Sequence, residues 1–129
     1  MSYLLDTHTL IWWATEPYRI PERTTAILRD PQNELYFSAA SSWEVQIKIG
    51  IGKISFSQPW EIIVERETEK NSLIILPVTL EHTFILAKLP SLHKDPFDRM
   101  LIAQALTNNL TIVTNDRFIR SYPDVETVW

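Results

Sequence analysis

Four carboxylates sit where this sequence changes character. The stretch "YLLDTHTL" runs apolar and stops at Asp6, and "FSAASSWE" leaves an apolar run and reaches Glu44. "DPFDRMLIAQAL" puts Asp98 at the front of a strong helix former, and "TIVTND" ends on Asp116. Gathered in space, such acids repel one another and resist ionisation. A divalent cation removes that conflict. Magnesium takes hard oxygen ligands in an octahedron, keeps several waters and needs few protein carboxylates. The chemistry is then activation of water and clamping of phosphate oxygens for in-line displacement. Taken singly, each acid has a plainer reading. Asp6, Asp98 and Asp116 suit helix caps or first-turn positions, and Glu44 suits a first turn.

The sharper reading depends on the elements that would bring the acids together. Short apolar runs predict buried strands over Tyr3–Asp6, Leu35–Ser38, Leu73–Val78, Thr111–Thr114 and Val125–Val128. Helices are expected between them, over His8–Ala14, Glu22–Arg29, Trp60–Glu69, Leu80–Leu89 and Asp95–Thr107, with a final turn at Arg117–Ser121. Leu80–Leu89 is expected to turn Phe84, Ile85 and Leu89 inward. Continuous apolar strands alternating with helices argue for an α/β fold whose parallel sheet is covered on both faces. In doubly wound sheets, function gathers at the carboxyl ends of the strands. Asp6, Glu44 and Asp116 follow the first, second and fourth strands, so they would share that layer. Asp95 reads as an N-cap and Pro96 as the first helical residue. Asp98 is then the third helical position, and steps of three and four continue to Leu101, Ile102, Ala105 and Leu106. One segment resists. In "SSWEVQIKIGIGKI" the residues Trp43, Val45, Ile47, Ile49 and Ile51 alternate as in a strand. Ser41 and Ser42 as N-caps, and the Trp43–Ile47 spacing, favour a helix instead.

Composition excludes several classes. With no cysteine there are no disulfides, thiolate metal sites or cysteine nucleophiles, and a reducing cytoplasm is the default compartment. No run approaches the roughly 18 apolar residues of a membrane span, and no signal peptide is apparent. His8 is expected to be packed or capping, and His82 and His93 lack ligand spacing, so zinc is unsupported. Trp12 and Trp13 could stack bases, but one in the core and one at an interface is the commoner outcome. The two glycines, Gly50 and Gly52, form no nucleotide-binding loop. Ser41 and Ser42 lack the setting of a hydrolase nucleophile.

Together, "LLDTHTLIWW", "SAASSWEVQIKIGIGK", "DPFDRMLIAQAL" and "TIVTND" resemble the PIN domain, and specifically the VapC-type toxins of bacterial toxin–antitoxin pairs. The resemblance spans the chain, in order. It implies a single PIN domain over residues 1–129, a three-layer fold and a parallel sheet of about five strands in order 3-2-1-4-5. It implies Mg2+- or Mn2+-dependent endoribonuclease activity, with Asp6, Glu44, Asp98 and Asp116 as the catalytic and metal-binding acids. Thr7 and Thr114 match supporting polar positions. The family places Glu44 on a helix, which overrules the alternation. Expected partners are an RNA substrate, a small antitoxin and a second copy in a homodimer. The net charge of −4 argues against RNA until the four acids are set aside, which leaves the rest of the chain neutral. Lys94, Arg99 and Arg117, with Lys48 and Arg120, could then meet phosphates. A non-catalytic PIN-like module that binds RNA or protein is the alternative. An aspartyl phosphoacceptor would want paired acids after the first strand and a late lysine, which "LLDTH" and "TIVTND" do not provide.

Overall fold

The computed structural model describes residues 1–92 and 94–129. Strand β1 (Ser2–Leu5) is central. It pairs in parallel with β2 (Glu34–Ser38) on one side and β4 (Thr111–Val113) on the other. Beyond these lie β3 (Ile74–Leu76) and β5 (Thr127–Val128), giving the order β3-β2-β1-β4-β5. The expected order is therefore met, with β3 and β5 shorter than the apolar runs that contain them.

Alternation along β1 separates two cores. Tyr3 and Leu5 join Leu35, Phe37 and Val113 on one face. There they meet α1 (Thr7–Thr15), α2 (Glu22–Arg29) and α4 (Trp60–Asn71) through Leu10, Ile11, Leu28, Trp60 and Ile63. Leu4 and Ile112 point to the other face, against α6 (Pro96–Asn108) and α7 (Arg117–Arg120) through Leu101, Ile102, Ala105 and Ile119. Strands buried on both faces must be apolar at consecutive positions, which is why they read as unbroken runs.

"SSWEVQIKIGIGKI" is helical: α3 spans Ala39–Gly50. Its N-cap is Ser38, whose side chain accepts from the Ala40 N–H, and not Ser41 or Ser42. The alternation misleads because the helix is apolar on two sides. Val45 is buried and Ile49 packs on the core, while Trp43, Ile47 and Ile51 form an exposed stripe at i, i+4 and i+8. Two helical stripes of this kind interleave as a period of two. A second correction concerns α5 (Leu80–Leu86), which stops short of Leu89 and leaves Phe84 exposed. His82 is buried there. It closes a capping box with Thr79 and reaches Asn108 through Nε2 at 2.9 Å. Its neighbour in the histidine reading, His93, lies outside the described residues.

Candidate active site

The carboxyl ends of β1, β2 and β4 coincide with the N-termini of α1, α3 and α7, so acids at these junctions share one layer. Asp6 is the N-cap of α1. Its Oδ1 accepts from the Thr9 amide and the Thr9 hydroxyl, both at 2.7 Å, and Oδ2 accepts from Thr114 Oγ1 at 2.5 Å. The side chain is buried, and that burial raises the carboxyl pKa above its ordinary value against the opposing pull of the Thr114 and Thr9 hydrogen bonds. Thr114 carries the link onward, because its Oγ1 also accepts from the Asp116 amide at 3.0 Å. Asp116 is half-buried and caps α7 through Oδ1, which accepts from the Phe118 and Ile119 amides. Asp6 and Asp116 open together into a cleft of about 200 Å³ shared with His8, Trp12 and Asn115.

Glu44 reaches this layer from α3. Its Oε1 accepts from Thr7 Oγ1 at 2.7 Å, and Oε2 accepts from Lys48 Nζ at 2.9 Å. Thr7 directly follows Asp6, so the hydroxyl ties the second acid beside the first. Asp98 is half-buried in the first turn of α6, which Asp95 caps as the sequence predicts. Trp43 and Phe97 meet edge to face at 5.2 Å, so the residues adjoining Glu44 and Asp98 are in contact.

The structure thus joins Asp6 to Asp116 through Thr114 and Glu44 to the same junction through Thr7, and it sets Asp98 in the first turn of α6, whose Phe97 meets α3. Among the described residues, no three His, Asp or Glu side chains stand close enough as placed to form a ready metal cage. The donor set is nevertheless all hard oxygen. It suits magnesium or manganese held by one or two carboxylates with water completing the shell, and it does not suit zinc.

The capping reading and the functional reading coexist: Asp6 and Asp116 each use one oxygen on helix amides, and both residues line the cleft. Thr9 was not expected at the site; its signal was its place three residues after a cap. His8 is exposed and lines the cleft, and it packs its ring against Trp12 at 5.7 Å rather than in the core. Trp12 and Trp13 are both half-buried rather than divided between core and surface. Arg99 is committed within the fold, donating to the carbonyls of Pro90 and Leu86 and to the Tyr122 hydroxyl. Lys94 and Arg117 are exposed.

Fold and site define an α/β protein with an acidic cleft at the carboxyl end of a doubly wound parallel sheet. The chain belongs to the PIN domain family, whose model matches residues 3–125. It is 29% identical to Ribonuclease VapC22 of Mycobacterium tuberculosis (strain ATCC 25618 / H37Rv), over 99% of this chain and 98% of that one. Its fold resembles that of VapBC2 from Rickettsia felis, solved bound to a promoter DNA fragment, with a TM-score of 0.74, 18% identity, and coverage of 99% and 98% of the two chains. It also resembles VapBC-1 from nontypeable Haemophilus influenzae, with a TM-score of 0.67, 22% identity, and coverage of 99% and 97%.

Proposed function

We propose that this chain is a metal-dependent endoribonuclease and the toxin of a toxin–antitoxin pair, working as a single PIN domain. The observation that carries the reading is the linked pair Asp6–Thr114–Asp116 in one cleft, with Glu44 beside it through Thr7. The full-length similarity to Ribonuclease VapC22 supports it. Asp6, Glu44, Asp98 and Asp116 would hold Mg2+ or Mn2+. When bound, that ion supplies an activated water and neutralises charge on the scissile phosphate. The chain's own residues prepare for it. Thr9 and Thr114 donate to Asp6 and favour its ionised form despite burial. Thr7 fixes the rotamer of Glu44. Lys94 and Arg117 are exposed cations suited to RNA phosphates.

A cavity of about 530 Å³ shares His8 and Trp12 with the acidic cleft and continues over Ile11, Phe56 and Ile63. It suits an antitoxin segment with apolar anchors and a basic tip that neutralises the carboxylates. The exposed stripe Trp43, Ile47 and Ile51 suits a second copy in a homodimer. Among the described residues, no helix is long and apolar enough to cross a membrane. The cytoplasm, where RNA and antitoxin would be met, is the proposed compartment.

The test is cleavage of total RNA by the purified chain. Cleavage should require Mg2+ or Mn2+, stop with chelator and return on adding the metal back. Undiminished cleavage in excess EDTA would refute the mechanism. A folded chain that neither cleaves RNA nor gains stability from either ion would favour the non-catalytic module.

A further inference from the structure

We propose that Lys48 is the internal counter-cation of Glu44. Its ammonium holds the carboxylate while no divalent ion is bound and yields the oxygen when one arrives. This inference rests on the metal-dependent reading above and adds a positioning residue to it.

Glu44 and Lys48 stand one turn apart on α3, with Nζ 2.9 Å from Oε2. On an open helix surface such a pair is commonplace and contributes little. Here the two partners differ in burial. The Glu44 side chain is 8% exposed and that of Lys48 is 30% exposed. An ionised carboxylate withdrawn this far from water needs a cationic or strongly donating partner. Asp6, by contrast, is held by neutral donors, the Thr9 amide and hydroxyl and the Thr114 hydroxyl. Lys48 therefore brings a positive charge to the acidic layer.

Three features suit it to leave. Glu44 keeps a second anchor, because Thr7 donates to the other oxygen and preserves its orientation. The ammonium is at the more exposed end of the pair, so solvent can receive it. Lysine is a flexible point charge without the planar two-pronged geometry by which arginine grips a carboxylate. A divalent ion binding at Oε2 would meet like charge from Lys48, and the flexible stem lets that charge withdraw without moving α3.

The experiment is calorimetric titration of Mn2+ into the metal-free full chain, beside Lys48→Met and Lys48→Arg, with melting temperatures before and after metal. Lys48→Met removes the competitor, and Mn2+ should bind roughly fivefold tighter or more. The same variant should melt lower without metal and recover most of the loss with it. Lys48→Arg keeps the charge but grips in two places, so Mn2+ should bind more weakly than to wild type. A purely structural pair predicts altered melting and unaltered Mn2+ affinity. Affinities within about twofold of wild type in both variants, or weaker binding by Lys48→Met, would overturn the inference. Should Lys48→Met not fold without metal, an unchanged affinity in Lys48→Arg overturns it alone. Absence of Mn2+ binding by wild type would instead remove the metal-dependent reading, and this inference with it.

Discussion

Asp6 answers to opposing demands. It caps α1, sits buried, and lines the cleft proposed to hold the cation. Its raised pKa fixes the sign of a pH effect. The folded chain keeps this proton at pH values where the unfolded chain, with its carboxyl near 3.8, has released it. Stability from this group is fully present below that value and is lost as pH rises through the folded pKa. Asp6→Asn removes the penalty while keeping the shape. The metal-free variant should match or exceed wild type in melting temperature at neutral pH, and its advantage should shrink on acidification. A gain of about 1 kcal/mol would raise the midpoint by several degrees in a domain of this size. RNA cleavage should be abolished in the same preparation, and full activity would remove Asp6 from the site. Thr114→Val tests the link. It deletes the donor to Asp6 and the acceptor of the Asp116 amide, and it should reduce cleavage or Mn2+ affinity by about 10–100-fold while the far-ultraviolet spectrum persists.

At the scale of the element, α3 carries three assignments on one helix. Its inner face packs Val45 on the core, its second turn presents Glu44, and its outer stripe leaves Trp43 and Ile47 exposed in line with Ile51 at the C-cap. Ile47→Lys alters only the outer stripe. If the stripe seats a second copy as proposed, this change should turn the dimer into a monomer by light scattering while shifting stability by no more than about 0.5 kcal/mol. A dimer of unchanged affinity would assign the stripe to something else. Ser38→Ala removes the cap of α3 and should cost about 1 kcal/mol in chemical denaturation. Loss of cleavage beyond the unfolded fraction would show that the cap also positions Glu44. The sequence signal here was partial. Ser38 ends a strand and caps a helix at once, so its role emerges only when the β2–α3 junction is seen.

At the scale of the whole molecule, His8 and Trp12 line both the acidic cleft and the larger cavity, whose wall mixes Ile11, Phe56 and Ile63 with Glu16, Arg19 and Arg66. Occupation by an antitoxin segment should slow hydrogen exchange in α1 and in residues 54–58, and co-purification should suppress cleavage. Protection confined to other surfaces would move the partner elsewhere. Metal should act globally too, because binding only to the folded state raises the melting temperature with ion concentration. The Mn2+ increment should grow as pH rises through the raised titration of Asp6, since the ion competes with the proton held there.

The parallel sheet was legible from the residues alone, whereas its strand order followed from the resemblance to the PIN domain. Strands buried on both faces must be continuously apolar, and helices between them force parallel pairing, so β1, β2 and β4 were legible within a residue or two. The sequence also located Asp6 and Asp116 at strand–helix junctions, Asp98 in the first turn of α6 and the Asp95 cap. Glu44, expected in a first turn, stands a turn further into α3 because the helix starts from Ser38. Other features depended on tertiary structure. The alternating apolar residues of α3 do not say which stripe faces the core, because hydrophobicity records burial and contact with a partner in the same way. The link from Asp6 to Asp116 joins positions over a hundred residues apart and exists only because β1 and β4 are neighbours. Arg99, a candidate for RNA from its place beside Asp98, was drawn into a clamp on α5 and Tyr122 by carbonyls that the linear chain does not place near it. The pairing of Lys48 with Glu44 lay within reach of helical spacing, but its significance came from burial, which only packing decides.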